Sequence, residues 1–197
     1  MKKTNNKGFS LVELIIVIAI MAILAGAIAP ALIKYIDKSR KSNDVSSAKT
    51  IKTAIETALG TESVYETLTN TTGTEPATVV TIVPGQATSD ATGTAGVLID
   101  KCSKPANGGA EIADCAKSIG SNIGEKTPKI KYRKKIDTKG NKGDDITPTN
   151  FYAFITPGGS VYVCVGESGA ALSSITSGTP TFASCAQLAP EVCDGYQ

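Results

Sequence analysis

Five cysteines, no histidine and one carboxylate at the head of a long apolar run limit the chemistry open to this 197-residue chain. The cysteines are Cys102, Cys115, Cys164, Cys185 and Cys193; none forms a C-x-x-C pair, so a tetrahedral zinc site would need an unusual ligand set and no metal is expected. Disulfides suit them better, although spacing does not decide among the possible pairings. Cys102–Cys115 and Cys185–Cys193 each close a short local loop and are the expected bridges. Cys164, in an apolar strand, then remains a thiol that packs as a small hydrophobe. Without histidine the commonest general base is missing. No nucleophile–base pair, phosphate loop or carboxylate dyad stands out, so neither an enzyme nor a cofactor is expected. Asp144-Asp145 in a glycine-rich turn could meet calcium, but the spacing is not that of an EF-hand and a solvated turn is the reading preferred.

Charge gives a second constellation. Residues Lys126–Lys142 hold eight basic side chains against one acid, Asp137. Alternation along Lys129–Ile136 predicts a strand with Lys129, Lys131, Arg133 and Lys135 on one side and Ile130, Tyr132 and Ile136 mostly on the other. Such a charged face keeps an exposed edge from pairing wrongly. A phosphate-binding stripe for DNA is the sharper reading, weakened by having a single tyrosine for stacking. The formal charge of the whole chain is +2. Removing Lys2, Lys3 and Lys7 leaves −1, which argues against a globally basic nucleic-acid binder.

The elements that must position these groups begin with Leu14–Ile33, 20 residues without a charge. As a helix that is roughly 30 Å, enough to cross a hydrocarbon core. Glu13 stands at its start, where an ionised carboxylate is expensive unless paired and is therefore a functional candidate. Three readings compete: a plain membrane anchor, a secretory signal cut after Ala27-Ile28-Ala29, and a processed leader that ends at Gly8. The second would put Pro30 just after the cut, and its apolar core is longer than usual.

Lys7-Gly8-Phe9-Ser10-Leu11-Val12-Glu13 favours the third, because it resembles the class III signal of type IV pilins and pseudopilins. In that family a prepilin peptidase cuts after the glycine and methylates the new N-terminal phenylalanine. Counted from Phe9, Glu13 is the fifth residue and Pro30 the twenty-second, in register with the family's acidic fifth position and helix-bending proline. By this resemblance Glu13 pairs with the Phe9 amine of a neighbouring subunit, where each charge offsets the desolvation of the other. Gly26 and Pro30 together predict a kink or a locally melted turn. Cys185–Cys193 resembles in place the C-terminal disulfide loop of many pilins.

Beyond Ile33, Val45, Ala48, Ile51, Ile55, Ala58 and Leu59 recur at helical spacing, and Gly60 follows as a stop. One helix from about Phe9 to Leu59 is expected, resembling a pilin spine, apolar first and amphipathic after. Residues 61–95, with eleven threonines, read as loop with at most one or two strands around Val79–Val83. Asn70-Thr71-Thr72 is a glycosylation sequon set in that Thr-rich composition. Ala110–Ile119 reads as a short helix, Phe151–Thr156 and Ser160–Val165 as strands joined by Pro157-Gly158-Gly159.

The expected class is α+β: a long N-terminal helix on an antiparallel sheet of three or four strands with long loops. The chain divides into leader 1–8, membrane or filament-core helix 9–33, amphipathic half 34–60 and globular head 61–197. The resemblance implies a type IV pilus subunit for adhesion or motility, held in the inner membrane before assembly and exposed on the cell surface after it. Implied partners are copies of itself, other pilins, a prepilin peptidase and a membrane assembly platform. Alternatives are a pseudopilin of a type II secretion or DNA-uptake system, and a membrane-anchored or secreted binding domain that does not polymerise.

Overall fold

The computed structural model describes residues 8–69, 78–88, 96–101, 109–137, 145–167, 175–176, 179–180, 185–193 and 196. Two compact units divide the chain, residues 1–39 and 40–197. The longest element, α1 (Leu11–Leu59), starts in the first and ends in the second. Every described side chain from Gly8 to Ile36 is exposed. Further along α1, Asp44, Ala48, Ile51, Ala54, Ile55 and Ala58 are buried at spacings of three and four, the stripe of an amphipathic helix. Gly60 ends the helix as expected.

The second unit is a five-stranded antiparallel sheet in the order β2-β1-β5-β6-β9. Its strands are β1 (Thr78–Ile82), β2 (Val97–Lys101), β5 (Asn150–Ile155), β6 (Val161–Gly166) and β9 (Cys185–Ala189). Period-2 alternation sorts the side chains. Phe151, Ala153, Ile155, Val161, Val163 and Val165 join Ile51, Ile55 and Ala58 of α1 in one core. Tyr152, Phe154, Cys164 and Cys185 form a second cluster with Val79. Both faces of the central strands are therefore buried, and the layout is the α+β helix-on-sheet expected.

Several boundaries differ from expectation. The sheet has five strands because β2 and β9 go unread in the sequence: β2 pairs with β1 through Val80↔Ile99 and Ile82↔Val97, and β9 pairs with β6. A helix, α2 (Glu62–Thr69), replaces the loop expected after Gly60. Its threonines do not break it: Thr67 and Thr69 donate their hydroxyls to the carbonyls of Ser63 and Tyr65. Helix α3 (Gly109–Ile123) is longer than the Ala110–Ile119 expected. The β5–β6 hairpin turns at Pro157-Gly158-Gly159, where Gly159 adopts a φ of 78°. Short pairs β3 (Ile136–Asp137) with β4 (Asp145–Ile146), and β7 (Ile175–Thr176) with β8 (Thr179–Pro180), complete the strands among the described residues.

Lys129–Ile136 is not a strand; only Ile136 belongs to one. The alternation is present, with Lys129, Lys131, Arg133 and Lys135 exposed and Ile130 and Ile136 buried. The N–H groups of Lys131 and Tyr132, however, go to a side-chain carboxylate and not to a neighbouring strand.

Candidate functional site

Gly8, Phe9 and Ser10 lead into α1 as non-helical residues, and Phe9 is 88% exposed. Ser10 is the N-cap and Glu13 the third helical residue, so Ser10-x-x-Glu13 has the spacing of a capping box. The Ser10 N–H donates to Glu13 Oε2 at 2.9 Å, and the Leu14 N–H donates to the Ser10 carbonyl at 3.2 Å. Glu13 thus satisfies one of the four N–H groups a helix start leaves open and places its charge at the positive end of the helix dipole. Sequence reasoning singled out Glu13 but not this capping role, although the S-x-x-E spacing was in plain view.

After Glu13 the helix presents Leu14, Ile15, Ile16, Val17, Ile18 and the apolar residues onward to Ile33, all exposed. By length and composition this one helix can cross a membrane. A bare apolar surface of that extent needs lipid or other helices to cover it. The helix continues through Gly26 and Pro30, so the melted turn expected there is not formed. A Cβ added at Gly26 would meet nothing within 4 Å.

The second unit fastens itself to its own stretch of α1 at Asp44, which is fully buried. Its Oδ1 accepts the Lys131 N–H at 2.7 Å; its Oδ2 accepts the Tyr132 N–H at 2.9 Å and the Tyr196 hydroxyl at 2.8 Å. Three donors offset the desolvation of one carboxylate. Around it the Tyr132 and Tyr196 rings meet edge-on with centroids 5.8 Å apart, and Lys41 Nζ lies 5.3 Å from the Tyr132 centroid. Burial and the adjacent carboxylate raise the Tyr196 pKa, which keeps that hydroxyl a donor. Sequence reasoning missed this site. Its signal was Asp44 on the apolar stripe, four residues before Ala48.

The cysteines separate by face. Cys115 belongs to the core between helices and sheet, whereas Cys164 and Cys185 lie in the cluster on the other face. Cys164 and Cys185 are buried thiols, and Cys185 is not joined to Cys193. Sheet register explains the geometry: Gly166 sits opposite Cys185 and Cys164 opposite Gln187, so the two thiols are diagonal neighbours. The Cys193 N–H donates to the Gln187 carbonyl at 3.0 Å. Burial pushes the Cys185 thiol up to about 12. Cys164 is also raised, first by burial and then by Cys185 and Cys193. Cys102, and with it the Cys102–Cys115 pairing, lies outside the described residues, as do Asn70 and Asp144. No cluster of metal ligands occurs among the described residues.

With this geometry in view, comparisons with known proteins converge. Residues 3–29 match the family model described as the prokaryotic N-terminal methylation motif. The chain is similar to a type IV major fimbrial protein FimA of Dichelobacter nodosus, at 37% identity over 98 residues, 49% of this chain and 63% of the relative. Fimbrial protein Q of Moraxella bovis is 48% identical over 54 residues, covering 27% of this chain and 34% of the relative. The type IV major pilin protein PilA of Myxococcus xanthus (strain DK1622) is 35% identical over 72 residues, 36% of this chain and 33% of the relative. The first such relatives are matched over 36% to 63% of their own length. No solved structure matches. The methylation motif and these relatives make the chain similar to type IV pilins over its N-terminal part.

Proposed function

We propose that the chain is the precursor of a pilus subunit. Residues 1–8 are its leader, cleavage falls between Gly8 and Phe9, and the Phe9 amine is methylated. Residues 9–33 are the single membrane span before assembly and the filament core after it; residues 34–60 continue that helix, and 61–197 form the filament surface used in adhesion or motility. The observation that supports this best is the exposed apolar face of α1 with Glu13 as its one acidic group. An apolar helix alone would serve as an anchor. A helix with a fixed carboxylate four residues from a new amine can also be set in register against identical copies. The partners are then copies of the chain, other pilins, a prepilin peptidase and a membrane assembly platform.

A pseudopilin of a secretion or DNA-uptake system is the second reading, and the names of the relatives, fimbrial and major pilin proteins, favour the first. Intact and N-terminal peptide masses of the native chain test the processing. A start at N-methylated Phe9 supports the proposal; a start at Pro30 or an uncut Met1 overturns it. Long surface fibres at native expression separate pilus from pseudopilus.

A further inference from the structure

The basic stretch after α3 is held in one shape. Thr127 exchanges backbone hydrogen bonds with the turn after β1, its N–H donating to the Gln86 carbonyl at 2.9 Å and its carbonyl accepting from Gly85 at 3.1 Å. Four residues on, Lys131 and Tyr132 give their N–H groups to buried Asp44. Between these anchors Ile130 turns into the core, so Lys129 and Lys131 must point outward, followed by Arg133. With Arg40 of α1 and Lys134 they line an open groove of about 490 Å³. Among the described residues, no acidic side chain lines it.

We propose that this groove binds the anionic headgroup of a phospholipid in the leaflet on the head side of the membrane, an inference that rests on the membrane-anchored precursor proposed above. Guanidinium and ammonium donors converging on one concave surface suit a phosphate. Basic clusters next to a membrane span recruit anionic lipid. In sequence, Arg40 follows Ile33, the end of the apolar run, by only seven residues. Nucleic acid fits less well, because no aromatic ring is among the described residues that line the groove, and Tyr132, next to Lys131 in sequence, already meets Lys41 and Tyr196. Lipid held here would keep the precursor seated and be released as the helix leaves the bilayer.

The test uses the purified full chain in a zwitterionic detergent, titrated with phosphatidylglycerol or phosphatidylcholine of the same acyl chains and read by native mass spectrometry. Preference for phosphatidylglycerol of about tenfold or more, weakened by added salt, is expected. The variant Lys129→Gln/Lys131→Gln/Arg133→Gln should lose it. The matched variant Lys49→Gln/Lys117→Gln/Lys126→Gln, with the same loss of charge elsewhere, should retain it. Equal binding of the two lipids, or equal loss in both variants, overturns the proposal. Displacement of the lipid by inorganic phosphate at equal concentration makes this a free-anion site, and tighter binding of a DNA duplex makes it a nucleic-acid face; either result also overturns it. Alkaline carbonate washing of cell membranes keeps the two proposals apart. If the native chain washes off, the anchor falls and the lipid site with it. If it stays but shows no lipid preference, only the lipid site fails.

Discussion

Asp44 is buried as a charged residue on an otherwise apolar stripe, and its cost is met by three hydrogen bonds from distant parts of the chain. Removing the carboxylate strands those donors, so Asp44→Ala should destabilise the head by about 3 kcal/mol or more, read as a lower urea midpoint. Tyr196→Phe removes one charge-assisted donor and keeps the ring contact with Tyr132, so roughly 1.5–3 kcal/mol is expected from the same titration. The buried thiols make an alkaline prediction. Cys185 is pushed up to about 12 in the fold, whereas an unfolded cysteine releases its proton near its ordinary value of about 8.5. Above that value the native state binds more protons than the unfolded one, so stability is full below it and declines as pH rises toward 12. Between pH 7.5 and about 10 this one group should remove roughly 2 kcal/mol. Cys185→Ala should lessen the decline by that amount; an unchanged slope would show that this thiol does not titrate differently on unfolding.

At the scale of elements, the sequence was most legible where one periodicity ran long. The change in α1 from uniformly apolar to amphipathic could be read because helical spacing persisted through Val45, Ala48, Ile51 and Ile55. The β5–β6 hairpin was legible from alternation on both sides of Pro157-Gly158-Gly159. Short or compensated elements were not. In α2, threonine hydroxyls answered the carbonyls of their own helix, a local solution that composition hides. Strand β2 has five residues, two of them Asp100 and Lys101, too little alternation to read without its partner β1. The Lys129–Ile136 alternation misled because an extended backbone needs partners for its N–H groups but not another strand to supply them. The hairpin carries its own prediction. Gly159 has a φ of 78°, and a Cβ there would stand 3.0 Å from the Tyr65 ring. Gly159→Ala should therefore cost about 1–3 kcal/mol from backbone strain, with Tyr65 displaced. Gly158→Ala, whose Cβ would meet nothing nearer than 4.0 Å, is the control and should change the urea midpoint little.

The whole molecule has opposite solvent needs in its two units. Residues 40–197 bury their own core, whereas the described part of residues 1–39 buries none of its apolar side chains. Each such side chain gains about 1.5–3 kcal/mol when covered, which favours lipid or other helices around the span without specifying register. Register needs a directional group, and Glu13 is the only acidic one in the apolar stretch. Its carboxylate accepts the Ser10 N–H and closes the helix start. Processing after Gly8 would add an ammonium on the adjacent residue, so the same carboxylate could keep its capping bond and also pair with an amine from a neighbouring copy. Two substitutions separate the roles. Glu13→Ala removes acceptor and charge, and filaments should be lost. Glu13→Gln keeps an acceptor for Ser10 but cannot neutralise a buried ammonium; an unpaired charge at a packed helix interface is costly enough that filaments should be lost here too. Both variants should still insert into the membrane, since the apolar face is intact. Electron microscopy of cells expressing each variant, with membrane fractions blotted alongside, gives the answer. Normal filaments from Glu13→Gln alone would reduce the carboxylate to a helix cap, and register would then have to come from the shape of the apolar face.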